Sequence, residues 1–141
     1  MYYKFEKGPT QPPLLVHRSL DPSPILFNFA ADYLTRMVRQ AQRNGLITGL
    51  ADNLIPQGII ILQYADDTII CIKEDIDIAR NMKILLYIYE LMTGLKINFS
   101  KSEVIMINGA DDMYLHYAEL FNCQTGTFPL KYLGVPVSPI G

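Results

Sequence analysis

Ile59-Ile60-Ile61-Leu62-Gln63-Tyr64-Ala65-Asp66-Asp67-Thr68-Ile69-Ile70-Cys71-Ile72 sets two apolar, mostly β-branched runs on either side of a polar tip with adjacent acids. Branched side chains pack well on a pleated surface and lose rotamer freedom in a helix, so both runs favour extended chain. A break this short between them predicts an antiparallel hairpin. The hairpin would carry Asp66 and Asp67 at its tip, gathering negative charge at one edge of a buried sheet. On the residues alone the acid pair has two readings. Adjacent aspartates make a good solvated turn, because aspartate tolerates turn dihedrals and hydrogen-bonds its own backbone. They also offer oxygen ligands to a hard cation such as magnesium, which keeps water and substrate phosphates in its remaining positions.

On the C-terminal side, Ile78, Met82, Leu85, Leu86, Tyr89 and Met92 keep helical spacing from about residue 75 to 93, and Gly94 supplies a left-handed stop. Leu95, Ile97 and Phe99 alternate with Lys96 and Asn98 as in a half-buried strand; a Ser100-Lys101-Ser102 turn then leads to a second strand over residues 104 to 107. Asp111 or Asp112 would cap a short helix to about residue 122, and residues 128 to 137 read as a final extended segment between prolines. On the N-terminal side, Ser23-Pro24 starts a helix that stops at Asn44-Gly45. Its apolar positions Leu26, Phe29, Ala30, Tyr33, Leu34, Met37, Val38 and Ala41 recur at three and four, which leaves Arg36, Arg39, Gln40 and Arg43 to other faces. Leu14-Leu15-Val16 could form a short strand. Residues 1 to 13, with Gly8, Pro9, Pro12 and Pro13, read as a mobile leader. One domain, residues 14 to 141, follows, since the 141-residue chain is too short for two ordinary ones.

Apolar residues make up 50% of the chain and charged residues 18%, a composition that collapses rather than staying disordered. The formal charge of -2 shows none of the basic surplus that usually marks a nucleic-acid binder. Cys71 and Cys123 lie far apart and, with only His17 and His116 to help them, have no zinc-ligand spacing. No signal-peptide core and no run of about 18 apolar residues is present, so the chain is expected to be intracellular, in nucleus or cytoplasm, and not secreted.

Tyr64-Ala65-Asp66-Asp67 between two apolar strands resembles the motif C hairpin of reverse transcriptases. Three further segments fall in that family's order. Asp21-Pro22-Ser23-Pro24-Ile25-Leu26-Phe27-Asn28 resembles motif B, and Gly94-Leu95-Lys96-Ile97-Asn98-Phe99-Ser100-Lys101-Ser102 resembles motif D. Phe128-Pro129-Leu130-Lys131-Tyr132-Leu133-Gly134-Val135-Pro136 is similar to the primer-grip region, motif E, of non-LTR (LINE-like) retrotransposons, especially those of plants. The resemblance covers roughly residues 14 to 137. It implies an α+β fold, a partial polymerase palm with an antiparallel sheet, a central acidic hairpin and helices packed on one face. It further implies an RNA-directed DNA polymerase ancestry, with an RNA template, a DNA primer and a deoxynucleotide as partners, magnesium as cofactor, and no membrane.

By this resemblance Asp66 would be the catalytic acid and metal ligand, Asp67 a weaker partner in both roles, and Tyr64 a contact beside the primer terminus or incoming nucleotide. Pro22 and Ser23 fall among the nucleotide- and primer-binding positions of motif B. Lys101 would lie near the triphosphate as charge stabiliser or proton donor, against the plainer reading of a solvated lysine in a turn. Tyr132, Leu133 and Gly134 would help hold the primer strand, unless Tyr132 and Leu133 are simply core residues of an edge strand.

Two departures from the pattern point to an inactive fragment. The family's motif A aspartate, on a strand before motif B, has no counterpart. Motif B usually reads arginine, glutamine, glycine, aspartate, proline, leucine, serine, proline, but here Leu20 runs straight into Asp21, without the Gln-Gly turn that lets backbone approach template and nucleotide. With the motif A strand gone from between the motif C hairpin and the motif D strand, the sheet is expected to show unpaired edges and to self-associate through them. The rival reading is a non-catalytic palm-like binding module, or the product of a decayed element without a present role.

Overall fold

The computed structural model describes residues 2–7, 23–50, 58, 61–64, 67–107, 111–132 and 134–137, with the backbone alone for residues 2–7, 23–27, 64, 67, 111, 130–132 and 137. Strands and helices follow in the order β1 (Tyr2–Lys7), α1 (Ser23–Arg43), β2 (Ile61–Tyr64), β3 (Asp67–Cys71), α2 (Ile76–Thr93), β4 (Ile97–Ile105), α3 (Asp111–Phe121), β5 (Gln124–Thr125), β6 (Leu130–Tyr132) and β7 (Val135–Val137). The acidic hairpin forms as the two apolar runs dictate: β2 and β3 pair antiparallel from Ile61 opposite Ile70 to Tyr64 opposite Asp67. Only positions 65 and 66 separate the last pair.

The five-stranded sheet has the order β2-β3-β1-β4-β5. Residues 2–7, expected as part of a mobile leader, are therefore its central strand, antiparallel to β3 on one side and to β4 on the other. Two features explain the difference. Tyr3 and Phe5 alternate with Lys4 and Glu6, a period-two pattern of strand-forming residues that ends where Gly8 and Pro9 begin. Without it, β3 and β4 would each leave a row of buried backbone donors and acceptors unpaired, so the gap selects any strand able to fill it. The expected vacancy at the sheet's centre is filled, and with it goes the physical ground for association through that gap. The Leu14-Leu15-Val16 segment lies outside the described residues.

One face of the sheet carries the helices. Ile70, Ile72, Val104 and Met106 pack with Leu34, Val38 and Ala41 of α1, Met82, Leu86 and Tyr89 of α2, and Tyr117 and Phe121 of α3 in one buried cluster. The alternate strand residues Ile69, Cys71 and Ile105 form a smaller cluster with Leu50 and Phe128. This segregation follows from the two-residue period of a strand. Helices on one face of a mainly antiparallel sheet make the chain an α+β fold, as expected. Phe29 and Tyr33, counted among the apolar positions of α1, are instead 68% and 36% exposed, because 100° per residue carries them off the face defined by Leu34, Val38 and Ala41.

The ends of α2 are set by local chemistry. The Asp75 carboxylate accepts from the N–H groups of Asp77 and Ile78, and Gly94 closes the helix at φ 72°, its N–H donating to the Glu90 carbonyl. Beyond it, the two strands and intervening turn expected over residues 95 to 107 are a single strand, β4, with an irregularity. Lys4 pairs with Glu103 but Glu6 with Asn98, so residues 99–102 bulge opposite Phe5 alone. The Ser-Lys-Ser segment thus bends as a turn would without ending the strand. The final extended segment is a small hairpin of its own, β6 with β7.

Candidate active site

The hairpin register fixes where position 67 sits. Tyr64 pairs with Asp67, Asp67 with Glu6, and Glu6 with Asn98, so one row crosses β2, β3, β1 and β4. Position 67 shares the two-residue period of 69 and 71, which places it on the sheet face away from the helices, and Glu6, directly across from it, falls on the same face. Asp66 and Pro22 lie outside the described residues. Ser23 is the first residue of α1.

Lys101 sits in the β4 bulge, three residues past the Asn98 end of that row, and is exposed. Asn98 organises the bulge: its Oδ1 accepts from the Lys101 N–H at 3.3 Å and the Ser100 hydroxyl at 2.7 Å, and its carbonyl accepts from the Ser102 hydroxyl at 2.8 Å. Two strand spacings, about 10 Å, separate β3 from β4, so the fold brings the Lys101 bulge and the acidic tip to one end of the sheet. It does not bring Tyr132 and Gly134 into the same sheet. Tyr132 ends β6, Gly134 has φ 76° and is exposed, and Leu133 lies outside the described residues. Phe128, just before this hairpin, packs on the cluster of the sheet's open face, so the chain leading into the hairpin runs along the side on which Asp67 falls.

A polar tie beneath the tip had no counterpart in the sequence reading. The Thr35 hydroxyl on α1 donates to Gln63 Oε1 at 2.7 Å, and Gln63 Nε2 donates to the hydroxyl of Thr68, its cross-strand partner, at 3.5 Å. Thr68 is buried, so the tie satisfies polar atoms one residue short of Tyr64 and Asp67 and links both strands to α1. A glutamine in an apolar strand immediately before the tip was the signal. Behind it the Cys71 thiol is buried, and desolvation pushes its pKa from 9.0 up to about 11, which makes it a packing residue rather than a nucleophile.

A model of the family described as reverse transcriptase (RNA-dependent DNA polymerase) matches residues 20–137. The chain belongs to the reverse transcriptase family. In this reverse transcriptase chain the match spans α1 through β7, while the central strand β1 lies upstream of it. Reverse transcriptases use a divalent metal and bind a nucleic-acid template and primer. Among the described residues no three His, Cys, Asp or Glu side chains are grouped to hold a metal ion. The register sets position 67 opposite position 6, an aspartate facing a glutamate, and carboxylates are the donor type a hard ion takes. No described helix is long and apolar enough to cross a membrane.

Proposed function

We propose that the chain is a partial reverse transcriptase of the non-LTR retrotransposon kind, built for RNA-directed DNA synthesis by two-metal nucleotidyl transfer, and that by itself it does not extend primers. The observation that carries this reading is β1. The strand beside the acidic hairpin reads Tyr-Tyr-Lys-Phe-Glu-Lys, and the position facing Asp67 is Glu6 rather than an aspartate. A glutamate carries its carboxylate one methylene further from the backbone, while two-metal chemistry needs ions about 3.5–4 Å apart held by ligands of fixed reach. Asp66 and Asp67 would hold the divalent ions, whose chemistry is activation of a primer 3′ hydroxyl and stabilisation of the leaving pyrophosphate. Tyr64 would sit against the primer terminus, the Asn98-ordered bulge would hold Lys101 towards the triphosphate, and the β6–β7 hairpin with Tyr132 and Gly134 would support the primer strand. Pro22 and Ser23 would approach the nucleotide at the start of α1. A nuclear or cytoplasmic setting, where template RNA is found, fits this reading.

Primer extension on a primed RNA template with magnesium and deoxynucleotides tests it. The expected result is no incorporation above an Asp66→Asn control. Incorporation by the chain that is abolished in Asp66→Asn would overturn the inactive reading and make Glu6 a working substitute.

A further inference from the structure

Helix α2 is apolar on two faces, and among the described residues only one of them is packed. Ala79, Met82, Leu85, Leu86 and Tyr89 are buried against the sheet and α1. On the outer face, Ile84, Tyr87, Ile88 and Leu91 are 57%, 61%, 43% and 63% exposed, at spacing i, i+3, i+4, i+7. That spacing makes a continuous apolar stripe along about two turns. Its edge toward α1 opens into a groove of about 530 Å³ walled by Ile84, Leu85 and Ile88 on one side and Tyr33, Met37 and Leu46 on the other.

We infer that this stripe is the contact of a two-fold homodimer, in which α2 packs antiparallel against α2 of a second copy. Three observations select a second copy as the occupant. The spacing is palindromic: reversed, the stripe presents the same pattern, so Ile84 meets Leu91 of the other copy and Tyr87 meets its Ile88. Self-complementarity of this kind is the requirement of an isologous interface. The ionic neighbours of the stripe are already engaged inside the chain. Arg80 pairs with Asp77 at 3.2 Å, Lys96 with Glu90 at 3.5 Å, and Lys83 Nζ donates to the Leu120 carbonyl. Two stripes therefore meet without opposing unpaired charges. Third, these four side chains with Met92, 66% exposed, leave on the order of 500–600 Å² open. Leu46 and Tyr33 across the groove bring this near the roughly 800 Å² per partner of a standard interface. Tyr87, placed against Ile88 of the other copy, brings its ring to the mouth of that copy's groove with its hydroxyl at the wet rim.

The test is sedimentation equilibrium and light scattering on the full 141-residue chain, with Ile84→Lys, Leu91→Glu and their equimolar mixture. Both positions are exposed, and circular dichroism checks that each variant keeps the parent's helix content. The parent is expected to form a dimer with a dissociation constant on the order of micromolar. Each single variant should weaken it by about 100-fold or more, since it sets a charge against an apolar side chain twice per dimer. The mixture should recover a heterodimer, because the lysine introduced into one chain then faces the glutamate introduced into the other. A monomer at about 100 μM, a ladder of larger species, or variants that mix without recovering the dimer would each overturn the proposal. A parent that is monomeric but sediments with neutral lipid vesicles would assign the stripe to lipid instead.

Discussion

Tyr3→Pro addresses the feature on which the sheet depends most. Tyr3 lies at the middle of β1 with Ile70 across one ladder and Val104 across the other, and both neighbours are fully buried. Proline removes the N–H of residue 3 and strands its acceptor in a dry environment. The lost bond is worth about 1 kcal/mol net, and the orphaned carbonyl adds roughly 1–3 kcal/mol. The expected loss is about 2–4 kcal/mol, before any displacement of the neighbouring strands by the ring. Out of the roughly 5–15 kcal/mol that holds a domain folded, this should lower the melting temperature by about 10 °C. Urea titration followed by circular dichroism measures the loss, with Tyr3→Val, which keeps the N–H, as the milder control. Hydrogen exchange gives an independent reading, because the amides of residues 3 to 6 should be protected alongside those of β3. If Tyr3→Pro unfolds at the parent's midpoint and these amides exchange freely, the central placement of β1 is wrong and residues 2–7 are a leader after all.

Three further outcomes are expected. Magnesium should bind weakly, with a dissociation constant on the order of millimolar by calorimetry, because paired acids from one turn supply few of the six positions the ion fills; a micromolar value that disappears in Glu6→Gln would show that β1 completes the site. Asp75→Ala and Gly94→Ala should each cost about 1 kcal/mol, the first by freeing the Asp77 and Ile78 N–H groups, the second by forcing a Cβ into the left-handed conformation at φ 72°. The double variant should be additive in urea titrations, since 18 helical residues, roughly 27 Å, separate the two ends. Stability should fall in alkali. Burial raises the Cys71 thiol from 9.0 to about 11 in the folded chain, so its contribution is complete below pH 9 and is lost as the pH climbs toward 11 and the unfolded chain alone ionises. The loss is on the order of 1–2 kcal/mol, and Cys71→Ala should flatten the slope of urea midpoint against pH without abolishing it, because Cys123 and Tyr89 are shifted in the same direction.

The local elements were legible in the residues because each is specified by its neighbours in the chain. Periodicity and caps gave α1 and α2, two apolar runs around a short tip gave the β2–β3 hairpin, and motif order gave the family. What the residues alone left undetermined is what closes the sheet. Whether Tyr2–Lys7 is a strand depends on the unpaired edges of β3 and β4, which lie more than sixty positions away, and no window around residue 4 contains that information. The same holds for Glu6 opposite Asp67, for Lys101 carried in a bulge of β4 rather than in a turn between strands, and for the Thr35–Gln63–Thr68 tie. Each is a relation across strands or between helix and sheet, set by register. Sequence determined which segments could be strands and helices. Tertiary structure decided which strand lies at the centre, because backbone hydrogen bonds there must be satisfied by whichever segment can reach.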